Sequence, residues 1–203
     1  HMSELKKLNI NPIDMVVVNF YPFEETIRHG KINEIIENID IGGPSLVRAA
    51  AKNYKDVVVV VDKNDYSEII EKIRHKKIND AEKARLAAKA FLQTAMYETI
   101  IGRYFAEHFI DEAFPGIYNF TFRKIQDLRY GENPHQKAAF YKSYWINETC
   151  ISTSRQLQGK ELSYNNILDA NDAFELVKDF KEPTAAVIKH TNPSGVATAS
   201  KIG

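Results

Sequence analysis

Residues 40–61 read Asp40-Ile41-Gly42-Gly43-Pro44-Ser45-Leu46-Val47-Arg48-Ala49-Ala50-Ala51-Lys52-Asn53-Tyr54-Lys55-Asp56-Val57-Val58-Val59-Val60-Val61. Pro44 suits the first turn of a helix, where its missing N–H is no loss, and Asn53 suits a helix stop. The Ala-rich run between them is predicted as a helix. Asp56 to Val61 is a β-branched run of the kind found in strands buried on both faces. A helix feeding a buried strand points to the α/β class. Upstream, Ile13-Asp14-Met15-Val16-Val17-Val18-Asn19 is a second such run. It stops at Phe20-Tyr21-Pro22-Phe23, because Pro22 cannot donate to a ladder. A helix is predicted over Ile32 to Ile39.

Downstream, Asp65 with Glu68 and Asn79 with Glu82 have capping-box spacing. The first precedes Ile69, Ile70 and Ile73. The second opens a long helix to about Phe109, with a break near Gly102 and Ala87, Ala90, Phe91, Thr94 and Ala95 on one face. Tyr118, Phe120 and Phe122 alternate as in a half-buried strand. A domain boundary is placed near Phe122 to Asp127, giving domains 1–124 and 125–203. Beyond it, Ala139–Tyr141 and Ala185–Lys189 are predicted strands and Leu168–Phe180 a helix.

The chain has 203 residues, with 27 Lys plus Arg against 27 Asp plus Glu. The zero formal charge argues against nucleic-acid binding by bulk electrostatics. No apolar run approaches the length of a membrane span. Cys150 is the one cysteine, so no internal disulfide forms and a reducing compartment fits. It has no sequence-adjacent His and reads as a packing or surface thiol. The histidines show no metal-ligand spacing. His1-Met2 reads as an expression remnant and is set aside.

Four stretches are candidates for chemistry. Asp40 to Ser45 puts two glycines before a helix N-terminus, where free N–H groups and a partial positive charge suit a phosphate or carboxylate. Arg48 and Lys52 share one face of that helix. The same pattern also fits an ordinary loop-to-helix turn. Asn19 to Phe23 follows a strand, the position where α/β sheets bind ligands, and Tyr21 either brings a hydroxyl there or caps the core with its hydroxyl in water. Leu128-Arg129-Tyr130-Gly131-Glu132-Asn133-Pro134-His135-Gln136 gathers planar polar groups suited to anions and rings, or serves as a polar linker. In Ala186-Val187-Ile188-Lys189-His190-Thr191-Asn192-Pro193-Ser194-Gly195, a buried strand delivers Lys189 and His190 to a tight turn. Histidine as a residue type can accept a proton near neutral pH, and Lys189 can steady negative charge, while a lone His at a strand end also fits a structural role.

Taken together, Val-Val-Asn-Phe-Tyr-Pro-Phe, Asn-Ile-Asp-Ile-Gly-Gly-Pro-Ser, Arg-Ala-Ala-Ala-Lys-Asn, Leu-Arg-Tyr-Gly-Glu-Asn-Pro-His-Gln and Lys-His-Thr-Asn-Pro-Ser-Gly resemble one family over Ser3 to Gly203. It is the bifunctional purine-biosynthesis family, aminoimidazole carboxamide ribonucleotide (AICAR) transformylase/inosine monophosphate (IMP) cyclohydrolase. The resemblance implies the end of a methylglyoxal-synthase-like α/β domain followed by the start of a cytidine-deaminase-like α/β domain. It implies that the chain begins after the cyclohydrolase domain's first phosphate-binding segment and one catalytic lysine, and stops soon after the transformylase domain starts.

By the same resemblance, Tyr21, Asp40 and Lys52 match the cyclohydrolase catalytic residues, and Ile41, Gly42 and Gly43 match nucleotide-contacting backbone. Lys189 and His190 match the transformylase pair. Arg129, Tyr130 and Asn166 match nucleotide contacts. Ser194 stands where many relatives carry Cys or Ala. The implied partners are AICAR, formyl-AICAR and IMP, with 10-formyltetrahydrofolate as formyl donor and no metal. A cytoplasmic homodimer with neither nucleic acid nor membrane as partner is expected. Because each site is incomplete, neither reaction is expected at a normal rate on these residues alone. The rival expectations are a nucleotide-binding module without catalysis and a methylglyoxal-synthase-like lyase, which leaves the second half unexplained.

Overall fold

Buried β-branched residues and an Ala-rich helix decide the first half. The computed structural model describes residues 2–146 and 148–201. His1 and positions 202–203, which the sequence reading included, lie outside them. The chain divides into two compact units between Asn119 and Phe120.

The first unit begins with α1 (Met2–Lys7), β1 (Met15–Val17), α2 (Phe23–His29), α3 (Ile32–Glu37) and α4 (Gly42–Lys52). β2 (Val58–Val60), α5 (Tyr66–Arg74) and α6 (Asp80–Phe109) follow. β1 and β2 run parallel, Met15 facing Val58 and Val17 facing Val60. The connection between the two parallel strands runs through α2, α3 and α4. α4 packs on both strands, and α6 packs on β2 and α4. Val47, Val59, Val60, Leu86 and Ala90 form the centre of the core, each at most 2% exposed.

Val58–Val60 is buried throughout, as its composition predicts. β1 differs: Val16 is buried but Val17 is 48% exposed. Its only strand partner among the described residues is β2, so one edge of β1 is unpaired, and the exposed Val17 shows that one face is open.

Several local expectations change. Asp65 precedes α5 but caps nothing with its side chain. Its carboxylate accepts instead from Lys89 Nζ at 2.7 Å, and the same ammonium lies 2.7 Å from Asp62. A charge-assisted pair outweighs a cap here. Asn79 does cap α6, accepting from the Glu82 N–H at 2.9 Å. Glu82 spends its own carboxylate on Arg85 and Lys72 rather than closing the box. α6 runs unbroken through Gly102. Its buried stripe is Leu86, Ala87, Ala90, Thr94, Tyr97, Ile100 and Tyr104, so Phe91 and Ala95 fall on the exposed side.

The second unit holds β3 (Phe122–Leu128), β4 (Ala138–Ser143), α7 (Tyr164–Lys178), β5 (Thr184–Lys189) and β6 (Asn192–Thr198). β3 and β4 pair antiparallel, as do β5 and β6, and α7 packs on β5. The alternation at Tyr118 and Phe120 makes no strand. β3 starts at Phe122, whose partner Ser143 is the last residue of β4. β3 also occupies the stretch read as a domain junction. β5 is not a buried strand, since alternate residues from Ala185 to Lys189 are exposed. Asn192–Gly195, read as a tight turn, is the start of β6. Cys150 is buried, at 8% exposed.

Candidate functional site

In the first unit the Asp40–Gly43 turn is built by its own side chain. Asp40 Oδ1 accepts the Gly43 N–H at 2.7 Å, satisfying one of the open donors at the start of α4. A Cβ at Gly43 would overlap that carboxylate, so the glycine is what admits it. Behind the turn, the Asp40 N–H donates to Tyr97 Oη at 2.7 Å. Asp40 is half-buried, while Ile41 and Gly42 face outward. The result is an exposed helix N-terminus with a fixed carboxylate beside it.

Tyr21 lies in the loop after β1 with its side chain 58% exposed, and its carbonyl accepts the Phe23 N–H at 2.7 Å. Its neighbours anchor it. Phe20 packs on the Tyr97 ring with centroids 5.1 Å apart, and Phe23 packs on the same ring at 6.1 Å. Tyr97 thus touches both the loop that carries Tyr21 and the turn that carries Asp40. Burial pushes its phenol above the usual range, against the lowering effect of the Asp40 N–H. Lys52 is exposed on the last turn of α4, roughly 15 Å along the axis from Gly42 at the start of the helix, at 1.5 Å per residue. A ligand reaching both must lie along the outer face of α4, which also carries exposed Arg48.

In the second unit the backbone of Arg129-Tyr130 pairs with the start of α7. The Arg129 N–H donates to the Leu162 carbonyl at 3.0 Å, and the Tyr164 N–H to the Tyr130 carbonyl at 3.1 Å. The Arg129 guanidinium carbon sits 4.9 Å from the Tyr130 ring centroid. Hydrogen bonding with Ser163 first, and with Arg129 second, holds the Tyr130 phenol below its usual range. Ser163, 1% exposed, also donates through its N–H and Oγ to Asn166 Oδ1, at 3.0 and 2.9 Å. Asn166 therefore helps cap α7. A cleft of about 350 Å³ lies alongside, lined by residues including Leu128, Arg129, Pro134, His135 and Gln136.

Lys189 ends β5, and His190-Thr191 form the hairpin turn itself, with φ of 53° and 61°. Both are left-handed, as a two-residue type I′ turn requires. Asp169 of α7 holds the turn, its Oδ1 accepting the Thr191 N–H at 2.8 Å. The His190 carbonyl accepts from Thr191 Oγ1 and Asn192 Nδ2, each at 2.7 Å. The first turns of α7 thus connect Tyr130, through Ser163 and Asn166, to the residue that grips the His190 turn. Sequence reasoning missed Tyr97, Ser163 and Asp169. Ser163-x-x-Asn166 had a readable cap spacing, whereas Tyr97 and Asp169 are single polar positions in helices and gave no signal.

Among the described residues, no group of three or more His, Cys, Asp or Glu could hold a metal ion, and no helix is long and apolar enough to cross a membrane.

A family model described as the AICARFT/IMPCHase bienzyme matches residues 50–203. The chain belongs to this family. The match includes Lys52, Lys189, His190 and the Arg129–Asn166 group, while Tyr21 and the Asp40–Gly43 turn precede it. Similar curated proteins include the bifunctional purine biosynthesis protein PurH of Acetivibrio thermocellus, 53% identical over all of this chain and 40% of its own length. Those of Thermoanaerobacter sp. and Oceanobacillus iheyensis are 54% and 47% identical with the same coverage. The chain thus spans about 40% of the length of these relatives. A solved structure described as the crystal structure of ForH is 26% identical, with a TM-score of 0.42 over 52% of this chain and 56% of that one.

Proposed function

We propose that the chain serves the two closing steps of IMP synthesis, as part of a bifunctional AICAR transformylase/IMP cyclohydrolase. The family match over residues 50–203 carries this reading, because it takes in Lys52 together with the Lys189-His190 pair. The first unit is assigned to the cyclohydrolase domain, with a methylglyoxal-synthase-like fold. The second is assigned to the start of the transformylase domain, with a cytidine-deaminase-like fold. The sequence-level boundary at 124/125 falls a few residues beyond the division at Asn119.

In formyl transfer, the amine of AICAR attacks the formyl carbon of 10-formyltetrahydrofolate. The new N–C bond forms as the folate N–C bond breaks. His190 takes the amine proton and Lys189 protonates the departing folate nitrogen. Arg129, Tyr130 and Asn166 hold the nucleotide. In ring closure, the carboxamide nitrogen of formyl-AICAR attacks the formyl carbon and water leaves. Asp40 moves the proton, Tyr21 and Lys52 orient the substrate and steady the oxyanion, and the backbone at Ile41, Gly42 and Gly43 contacts the nucleotide. The exposed N-terminus of α4 with its fixed carboxylate supports that last role. AICAR, formyl-AICAR and IMP are then the partners of a cytoplasmic homodimer, and the balanced charge agrees with no nucleic-acid role.

Two assays on the purified chain test this: IMP formation from formyl-AICAR and formyl transfer to AICAR. Rates are compared with those of a full-length relative, since the chain spans about 40% of that length. Asp40→Ala is expected to abolish ring closure alone and His190→Ala transfer alone. Methylglyoxal formation from dihydroxyacetone phosphate, or loss of the same reaction in both variants, overturns the assignment.

A further inference from the structure

We infer that Tyr97 is a positioning residue of the first-unit site: its buried hydroxyl holds the backbone of Asp40 and, through it, the Asp40–Gly43 turn that meets the nucleotide. The inference rests on the reading of that turn as a nucleotide site and deepens it.

Tyr97 is 4% exposed, and its hydroxyl oxygen accepts the Asp40 N–H at 2.7 Å across a sequence separation of 57 residues. Its ring does not belong to the core cluster around Val59 and Ala90. It sits in an aromatic row, against Phe20 and Phe23, with Phe23 edge-on to Tyr104, and of these Phe20 also packs on the core cluster. A phenylalanine would satisfy those packing contacts equally well. The hydroxyl adds one thing, a buried acceptor for the first amide of the turn. That bond fixes the Asp40 main chain from behind while the Gly43 N–H fixes its carboxylate from in front. With both ends held, the carboxylate and the open N–H groups of α4 keep one geometry and need no reordering when a ligand arrives. Because Phe20 rests on the same ring and is bonded to Tyr21, the ring also registers the Tyr21 loop against the turn. Burial keeps the phenol protonated well past neutrality, so its oxygen remains a neutral acceptor.

Tyr97→Phe in the full chain tests this, read by residue-specific amide exchange and by calorimetric titration with IMP. Asp40 and Gly43 amides are expected to exchange roughly tenfold faster or more, with Val59 and Ala90 unchanged. The IMP dissociation constant is expected to rise by a similar roughly tenfold factor. Tyr97→Leu, which also removes the ring, is expected to speed exchange around Phe20 and Phe23 as well. Unchanged exchange at Asp40, equal acceleration at Val59 and Ala90, or unaltered IMP affinity each overturns the inference. Asp40→Asn separates it from the reading beneath. If Asp40→Asn binds IMP as the wild type does, or the wild type binds none, that reading fails and takes the inference with it. If Asp40→Asn weakens binding while Tyr97→Phe does not, the inference alone fails.

Discussion

At Gly43 the room for a side chain is already taken by the Asp40 carboxylate, whereas at Gly42, one residue earlier, a Cβ would meet open space. The same substitution is therefore expected to have opposite signs. Gly42→Ala gains helix propensity of up to about 1 kcal/mol. Gly43→Ala gains the same propensity but expels the carboxylate and loses its hydrogen bond, for a net cost of about 1 kcal/mol. Urea denaturation of the two variants checks the pair, and Gly43→Ala should also weaken IMP binding. The Gly-Gly pattern was visible in the sequence, but not which glycine admits the carboxylate, because that depends on where Asp40 folds back. Ser163 poses a related case. Its side chain supports both α7 and Tyr130, so Ser163→Ala is expected to cost about 1 kcal/mol, as the loss of a helix cap does. It should also return the Tyr130 phenol toward its ordinary range, measurable by ultraviolet titration.

Among the elements, β2 and α4 were legible because every turn of α4 and every residue of β2 obeys the local pattern. The β5–β6 hairpin was not. Its turn uses His190-Thr191, while the stronger turn signal, Asn192-Pro193-Ser194-Gly195, lies in the strand. The left-handed pair is retained by contacts outside the local sequence, above all Asp169 on α7. Asp169→Ala is expected to loosen the turn and lower formyl transfer, with faster exchange at the Thr191 amide as the direct readout. Between α5 and α6, Glu82 pairs with Arg85 of its own helix at 2.7 Å and with Lys72 of the neighbouring helix at 3.0 Å. Arg85 chiefly, with Lys72, holds the Glu82 carboxyl down to about 2 from its ordinary 4.5. A lowered carboxyl stabilises the fold above its unfolded value and loses that contribution as pH falls through the folded one. The Glu82 contribution is thus full above about pH 4.5 and gone below about 2. Glu82→Gln is expected to cost on the order of 1 kcal/mol at pH 7, and the gap to wild type should close on acidification.

On the scale of the whole molecule, the two units differ in what holds them. The first has a core of fully buried aliphatic side chains on a parallel strand pair. In the second, Gly131, Cys150 and Ser163 are the buried positions among the described residues, and every residue of β6 is exposed. Amide exchange is accordingly expected to be slow at Val59, Val60 and Ala90 and fast throughout β5 and β6. The α/β class was legible for both halves, since it follows from local periodicity, but the thin interior of the second half was not, since burial depends on what packs around it. The most direct test of the functional account replaces the matching 40% of the Acetivibrio thermocellus relative with this chain and assays both reactions. The expected result is a chimera that carries out both, with ring closure lost in Asp40→Ala and formyl transfer lost in His190→Ala. A chimera that folds as the relative does yet keeps either reaction in the corresponding variant would contradict it.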